Sequence, residues 1–307
     1  MNVLKYTLLV LCIISAKLTH GQNDIKLTNF NFTPLVYNPA YAGSSGGYSV
    51  TGFYSTQWVG FEGAPESIIL TGHSKIGFSN IGVGLDIVSD RIGASHNNFV
   101  AGNFAYHFRI SQEWSVSAGI KFGLNNYGID YSLLSIRDQN EFGTQLGNLT
   151  DTSLVLGTGV FIHRNNFFVG ASIPNFLTTN YLDDFRNVIA NTTPNYFLTA
   201  GYKIELDRNL YLQPTVLTRL AQGAPYSALV SFNLDWRDNF FANLNYEHNV
   251  SVGAFVGVRI NDRLMAGYGY DSSTRAFSQY NSGIHSIMIN FRSGERQRAD
   301  RCGCFTY

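Results

Sequence analysis

Charge is scarce in this 307-residue chain. Only 14% of residues are Asp, Glu, Lys or Arg, against roughly 25% in an ordinary soluble domain. What charge there is cancels, with 21 basic and 21 acidic residues. That balance removes any electrostatic reason to expect nucleic acid as a partner. Cysteine is nearly missing, with three in the chain. Long apolar runs are missing too. Beyond the first 21 residues nothing approaches the roughly 18 apolar residues of a spanning helix, which excludes a helical membrane protein but not a β-barrel, whose strands need only about 9–11 residues each. The 3.6-residue helical period is nearly absent as well. Present in quantity are glycine, at 30 residues, and aromatics, at 14%. Few charges, much glycine and many aromatics fit an all-β protein whose outer surface does not face water.

The first 21 residues form a separate unit. Met1 to Lys5 carries positive charge, and Tyr6 to Ala16 (YTLLVLCIISA) is an apolar core too short to span a bilayer. This pattern predicts a Sec-type signal peptide over 1–21, cut near Gly21 or Gln22. Cys12 lies inside the apolar core behind Leu11, where a lipoprotein signal would need a small residue. Loss of Lys5 and Lys17 with the leader leaves 19 basic residues against 21 acidic ones.

A two-residue period runs through the rest of the chain. In Ser227–Trp236, Ala228, Val230, Phe232, Leu234 and Trp236 make one face, and Ser227, Ser231, Asn233 and Asp235 the other. Trp114–Leu124, Tyr196–Leu206 and Val252–Ile260 repeat the scheme. A soluble sandwich also alternates. Its strands are usually about 5–6 residues long, however, and its wet face carries Lys and Glu rather than the Gly, Ser and Asn found here. A closed barrel in lipid explains both features, with the apolar face outward and the small polar face lining a lumen. Closure is required because an open edge would leave backbone groups unpaired in hydrocarbon.

Fourteen strands are predicted, at 47–60, 65–76, 80–90, 97–110, 113–128, 152–163, 166–173, 195–206, 209–220, 226–236, 239–248, 250–260, 263–271 and 283–292. Even-numbered connectors are short, and every long segment (129–151, 174–194, 272–282) is odd-numbered. Outer-membrane barrels segregate loops this way, with short turns on the periplasmic side. The fold class expected is therefore an all-β, antiparallel, up-and-down transmembrane barrel of about 14 strands with periplasmic termini. Pro214, within one strand, removes a ladder donor.

Just before the first strand the chain reads LVYNPAYAG over 35–43. Locally this is a turn signal, with Asn38-Pro39 initiating and Gly43 freeing the backbone. It lies on the periplasmic side or folds into the barrel mouth. The combination says more. NPAYAG (Asn38, Pro39, Ala40, Tyr41, Ala42, Gly43) is followed by Gln57, Trp58, Gly63, Ala64 and Pro65. Then come IGVGLDIVSDRIG at 81–93, FAYHFRIS at 104–111, GYKIEL at 201–206, LQPTVLTRL at 212–220 and GIHSIMINF at 283–291. Taken in order, these stretches resemble the PorP/SprF family of the type IX secretion and gliding-motility systems of Bacteroidetes. The resemblance implies a non-enzymatic outer-membrane barrel that helps a secreted adhesin or repeat protein reach or stay on the cell surface. It also implies contacts with periplasmic or peptidoglycan-linked components of the machine. The organisation expected is a signal peptide (1–21), an NPAYAG segment (22–46), a barrel (47–292) and a basic CxC tail (293–307).

Other constellations are sparse. Cys302 and Cys304 form a CxC at the chain end, short of the about four ligands zinc needs. In an oxidising periplasm they could pair with each other, pair with a partner chain, or sit idle in a tail. Arg298 and Arg301 lie beside them, so the tail is either a solvated end or a docking peptide for an acidic partner. The mature histidines (His73, His96, His107, His163, His248, His285) show no metal spacing, and His107 and Arg109 share one lumen face. Gly82-x-Gly84 belongs to a strand rather than a dinucleotide loop, and no GxSxG elbow is present. No cofactor is implied. The alternative function is a passive pore for small hydrophilic solutes, with Lys121, Lys203, Glu205 and Arg259 on lumen faces. An occluded lumen would separate the two readings. Tyr37, Tyr41 and Trp58 are expected to fix the N-terminal segment to the barrel.

Overall fold

The computed structural model describes residues 28, 30–45, 47–111, 113–133, 149–164, 166–182, 188–221, 225–237, 239–274 and 283–293. The expected signal peptide, most of loop 129–151, and the tail with Arg298, Arg301, Cys302 and Cys304 lie outside these residues. The strands are β1 (Tyr48–Gln57), β2 (Glu66–Lys75), β3 (Ile81–Ile92), β4 (Ser95–Arg109), β5 (Trp114–Ile129), β6 (Leu149–Arg164), β7 (Phe167–Ile173), β8 (Thr179–Leu182), β9 (Val188–Thr192), β10 (Asn195–Tyr202), β11 (Ile204–Asp207), β12 (Leu210–Ala221), β13 (Ser227–Trp236), β14 (Phe240–Glu247), β15 (Ser251–Arg259), β16 (Leu264–Ser273) and β17 (Ile284–Ser293).

All but β8 and β9 form one antiparallel sheet in sequence order, closed by the pairing of β1 with β17. β10 and β11 are two parts of one stave, both paired with β12, so the barrel has fourteen staves. Pro214 accounts for the break. Pairing stops at Gly201↔Thr215 and resumes at Ile204↔Leu212, leaving Pro214 opposite the gap. Pro214 has no N–H to donate to the facing stave, while on the other side Lys203 continues the ladder toward β7, donating its N–H to Asn166 O at 2.7 Å. Tyr48 pairs with Ser293, so both ends of the barrel chain meet at the short-turn mouth, the periplasmic side of such barrels.

The outward face follows the period-2 reading. Val83, Leu85, Phe104, Ile120, Phe122 and Leu124 are exposed to the bilayer. Near the short turns Arg164 lies over the Trp114 ring and Arg237 over that of Trp236, placing cations where interfacial aromatics sit. The inward face departs from that reading. Besides Gly, Ser and Asn it carries Phe53, Phe161, Phe168, Phe241 and Phe255, all buried. The 174–194 connector also holds the β8–β9 hairpin, which pairs as its own two-stranded sheet. The staves are unequal. β6 pairs with β5 along its whole length, from Leu149↔Ile129 to Arg164↔Trp114, but with β7 only from Thr158↔Ile173 to Arg164↔Phe167.

Ile120 lies near the centre of the lipid-facing band of β5 and Asn126 near its edge. Ile120→Arg is expected to destabilise the barrel by about 2–4 kcal/mol and Asn126→Arg by at most about 1 kcal/mol. Urea titration in bilayers measures both, and equal losses would contradict this membrane placement.

Candidate functional site: a chain segment held in the lumen

A fourteen-stranded barrel is wider than its own side chains can fill. Here the space is occupied by the residues that precede β1. From Phe30 to Ala42 they run through the barrel interior, nearly all fully buried. Pro34 opens a four-residue helix, α1 (Pro34–Tyr37), at the position where its missing N–H costs nothing. Asn38 ends it, donating its N–H to Pro34 O at 2.9 Å. The Asn38 side chain then accepts from Ala40 N at 2.9 Å, and Pro39 starts a 3-10 turn over Pro39–Tyr41. Turns this short do not hold by themselves in water. The wall has to hold them.

It does so mainly by pairing the segment's backbone, since buried backbone groups require partners. Lys121 donates to Leu35 O at 3.2 Å and to Val36 O at 2.8 Å. Ser172 donates to Tyr37 O at 2.7 Å, and the Asn38 amide to Val160 O at 3.1 Å. His107 reaches Ala42 O at 2.8 Å. A carbonyl can only accept, so the proton is on Nε2. Gly43 donates to His73 Nδ1 at 3.1 Å, so that nitrogen is unprotonated. At the other end of the segment Asn31 donates to Ser231 at 2.6 Å and to Asn233 at 3.3 Å. Lys121 is itself paired with Asp86 at 2.8 Å, both side chains having no solvent exposure. Asn103, between them in the sheet, donates to Asp86 at 2.7 Å.

Shape matches as well as polarity. A Cβ on Gly119 would overlap the Ala40 nitrogen, one on Gly159 the Asn38 side chain, and one on Gly82 the Ala42 carbonyl. The small residues of β3, β5 and β6 are thus a mould for the backbone of NPAYAG. The rest is aromatic packing. Phe32 lies 4.5 Å from Phe255, Tyr37 meets Phe197 edge-on at 5.4 Å, and Tyr41 packs on His73 and Phe161. This is why the lumen face carries phenylalanines: they cover an apolar insert rather than water.

The long-loop mouth is covered separately. Tyr181 of β8 is buried, with its hydroxyl 2.8 Å from the Asn125 amide and 2.9 Å from Ser153. A cavity of about 30 Å³ remains beside the segment, lined by Asn31, Tyr41, Ser49, His73, Asn290 and Arg292, room for about one water.

The sequence-derived motif therefore divides. Asn38, Pro39, Ala40, Tyr41, Ala42 and Gly43 lie in the lumen. Gln57, the last residue of β1, and Trp58, Gly63, Ala64 and Pro65 of the β1–β2 connector lie at the opposite, long-loop end. There Gln57 N bonds Pro65 O at 3.0 Å, and Gly93 N bonds Gly63 O at 2.9 Å, tying this connector to the β3–β4 turn. Tyr37 and Tyr41 do pack the segment. Trp58 does not: it is 43% exposed in a left-handed turn (φ 51°) that carries it away from the lumen. Arg109 departs as well, exposed at the short-turn rim while His107 is buried, and Glu205 is exposed at that same rim. Lys121 lines no water path because it is buried against the segment. Sequence reasoning missed the roles of Lys121, Asp86, His73 and His107. The available signal was opposite charges on the lumen faces of β3 and β5 in a chain with few charges.

A family model described as "Type IX secretion system membrane protein PorP/SprF" matches residues 19–291. The chain belongs to the PorP/SprF family. No curated protein matches its sequence. Among solved structures, the CymD monoaromatic hydrocarbon channel superposes with a TM-score of 0.52 at 11% identity, covering 91% of this chain and 96% of CymD. A FadL homologue of Pseudomonas aeruginosa gives 0.49 at 9% identity, covering 88% and 98%. Omp33 of Acinetobacter baumannii gives 0.47 at 9% identity, covering 80% and 98%. At 11% identity the likeness to CymD establishes the fold, and this PorP/SprF chain is an outer-membrane β-barrel.

Lys121→Met should loosen the segment. It leaves Asp86 buried without its cation, at a cost of about 3–5 kcal/mol, and strips two plug carbonyls of their donor. Hydrogen exchange over residues 30–43 is expected to rise by about tenfold or more while the barrel strands keep their protection. Unchanged exchange there would show that aromatic packing alone holds the segment.

Proposed function

We propose that this barrel supports the secretion or surface anchoring of a type IX cargo, an adhesin or repeat protein, and is neither an enzyme nor a solute pore. The observation that carries this reading is the filled lumen. A barrel whose own chain is bonded to its inner wall through the backbone of Leu35, Val36, Tyr37, Ala42 and Gly43 is built as a closed scaffold. Family membership supplies the system in which it works. Under this reading the leader is removed after Sec export, and the long-loop end faces outward. The short-turn end, with the 293–307 tail, meets periplasmic or peptidoglycan-linked machinery. Arg298, Arg301, Cys302 and Cys304 are then docking or pairing residues, and NPAYAG is the segment that seals the barrel. The 129–151 and 174–194 connectors contact the cargo, the second one having its β8–β9 hairpin already anchored through Tyr181.

In planar bilayers the purified chain is expected to give no steady conductance, and a variant lacking residues 28–43 to give an open pore. In cells, shortening 129–151 should lower surface display of the secreted partner while the barrel still assembles. A steady pore from the intact chain, with display indifferent to the loop, would replace the scaffold by the passive-pore reading.

A further inference from the structure

The backbone constraint that closes the barrel holds only within hydrocarbon, and β3 to β6 continue beyond it. Their outward faces change character along the way. Below, they are apolar (Val83, Leu85, Phe104, Ile120, Leu124). Above, Ser89 bonds Asn98 at 2.7 Å and Asn126 bonds Thr152 at 2.9 Å, both pairs exposed. The upper part of this four-strand wall therefore stands in water on the long-loop side. β6 is its last strand. Above Thr158 no barrel strand pairs with the far edge of β6. The 174–177 stretch reaches only Leu156, whose C=O accepts from Phe176 N at 2.8 Å and whose N–H donates to Asn175 at 3.3 Å. Backbone direction alternates along a strand, so Thr152 and Thr150 present their N–H and C=O groups to that same side. Among the described residues those groups have no partner there.

Sheet edges are ordinarily protected by a bulge, a lysine or a proline. This edge has none. The register with β5 is unbroken from Leu149 to Arg164, and LTDTSLVL over 149–156 contains neither Lys nor Pro. Nor is it electrically neutral. Asp151 lies in one row across the sheet with Asp90, through Tyr127 and Asn97. Asp130 stands just above, where Ser132 donates its hydroxyl at 2.6 Å and its N–H at 3.0 Å. Those bonds, together with Arg91 and His96 nearby, hold the Asp130 carboxyl below the usual range.

We propose that the β6 edge at Thr150 and Thr152 is a strand-docking site for an extended segment of the secreted partner, one carrying a basic residue toward Asp151 and Asp130. Main-chain pairing would supply the affinity and the carboxylates the selectivity. This rests on the cargo reading above.

The test uses the full chain in outer membranes with a photo-crosslinking phenylalanine analogue at position 150, and separately at Phe61 on the β1–β2 connector. The expected product at 150 is one segment of a secreted polypeptide, identified by mass spectrometry. Thr152→Pro removes an N–H that no barrel strand uses, so the barrel should still assemble while the crosslink falls by about tenfold or more. Thr152→Val keeps that N–H and should leave the yield unchanged. A yield at 150 insensitive to Thr152→Pro, or crosslinks there to lipopolysaccharide or a second copy of this chain alone, would overturn the docking site. If Phe61 then still captures a secreted protein, the cargo reading survives. If neither position does, both fall.

Discussion

Backbone hydrogen bonding in hydrocarbon is the constraint on which the rest depends. Every peptide group of a lipid-facing strand needs a partner within the protein, so the sheet must close, and β1 must find β17. Closing fourteen staves sets a diameter. That diameter leaves a lumen which side chains of the wall cannot fill, and the second half of the problem is what occupies it. In this chain the answer is the fifteen or so residues just upstream of β1. They enter with their own unpaired carbonyls, and these carry the same requirement inside the barrel that the strands carry outside it.

The lumen face is shaped by that requirement. Lys121 is the clearest case. Its ammonium is buried, neutralised by Asp86 and spent on two carbonyls of α1. A buried ion pair is poor evidence of stability in itself, because desolvation offsets most of the attraction. Its value here is directional: it fixes where the helix ends sit. Glycine does the complementary work. Where the backbone of NPAYAG lies against β3, β5 and β6, even a methyl group would collide. The same face thus reads as featureless in sequence and as a mould in space. The phenylalanines on neighbouring strands complete the seal by covering Phe32, Tyr37 and Tyr41.

Where the hydrocarbon ends, the constraint lapses. The β3–β6 wall continues upward with polar outward residues, and there an unpaired edge costs little, because water satisfies it. The barrel is thus closed through the membrane and its lumen is occupied, while among the described residues the upper part of β6 keeps an unpaired edge at the rim. The proposed scaffold role would draw on this division.

Much of this was legible in the sequence. Period-2 alternation, with a lipid face of Ile120, Phe122 and Leu124 against Ser117, Lys121 and Gly123, determined the strands, their two faces and their number. The parity of loop lengths determined which end carries the short turns and the termini. These are properties of residues one or two apart, or of simple counting, so a linear reading reaches them. Tertiary structure alone decided what the lumen contains. Lys121 meets Leu35 across 86 residues of sequence, and Ser172 meets Tyr37 across 135. No local pattern encodes such pairs. The two halves of the family motif lie at opposite mouths of the barrel, although only 13 residues separate Gly43 from Gln57, because β1 spans the membrane between them. Adjacency in the chain suggested one site. A strand long enough to cross a bilayer made it two.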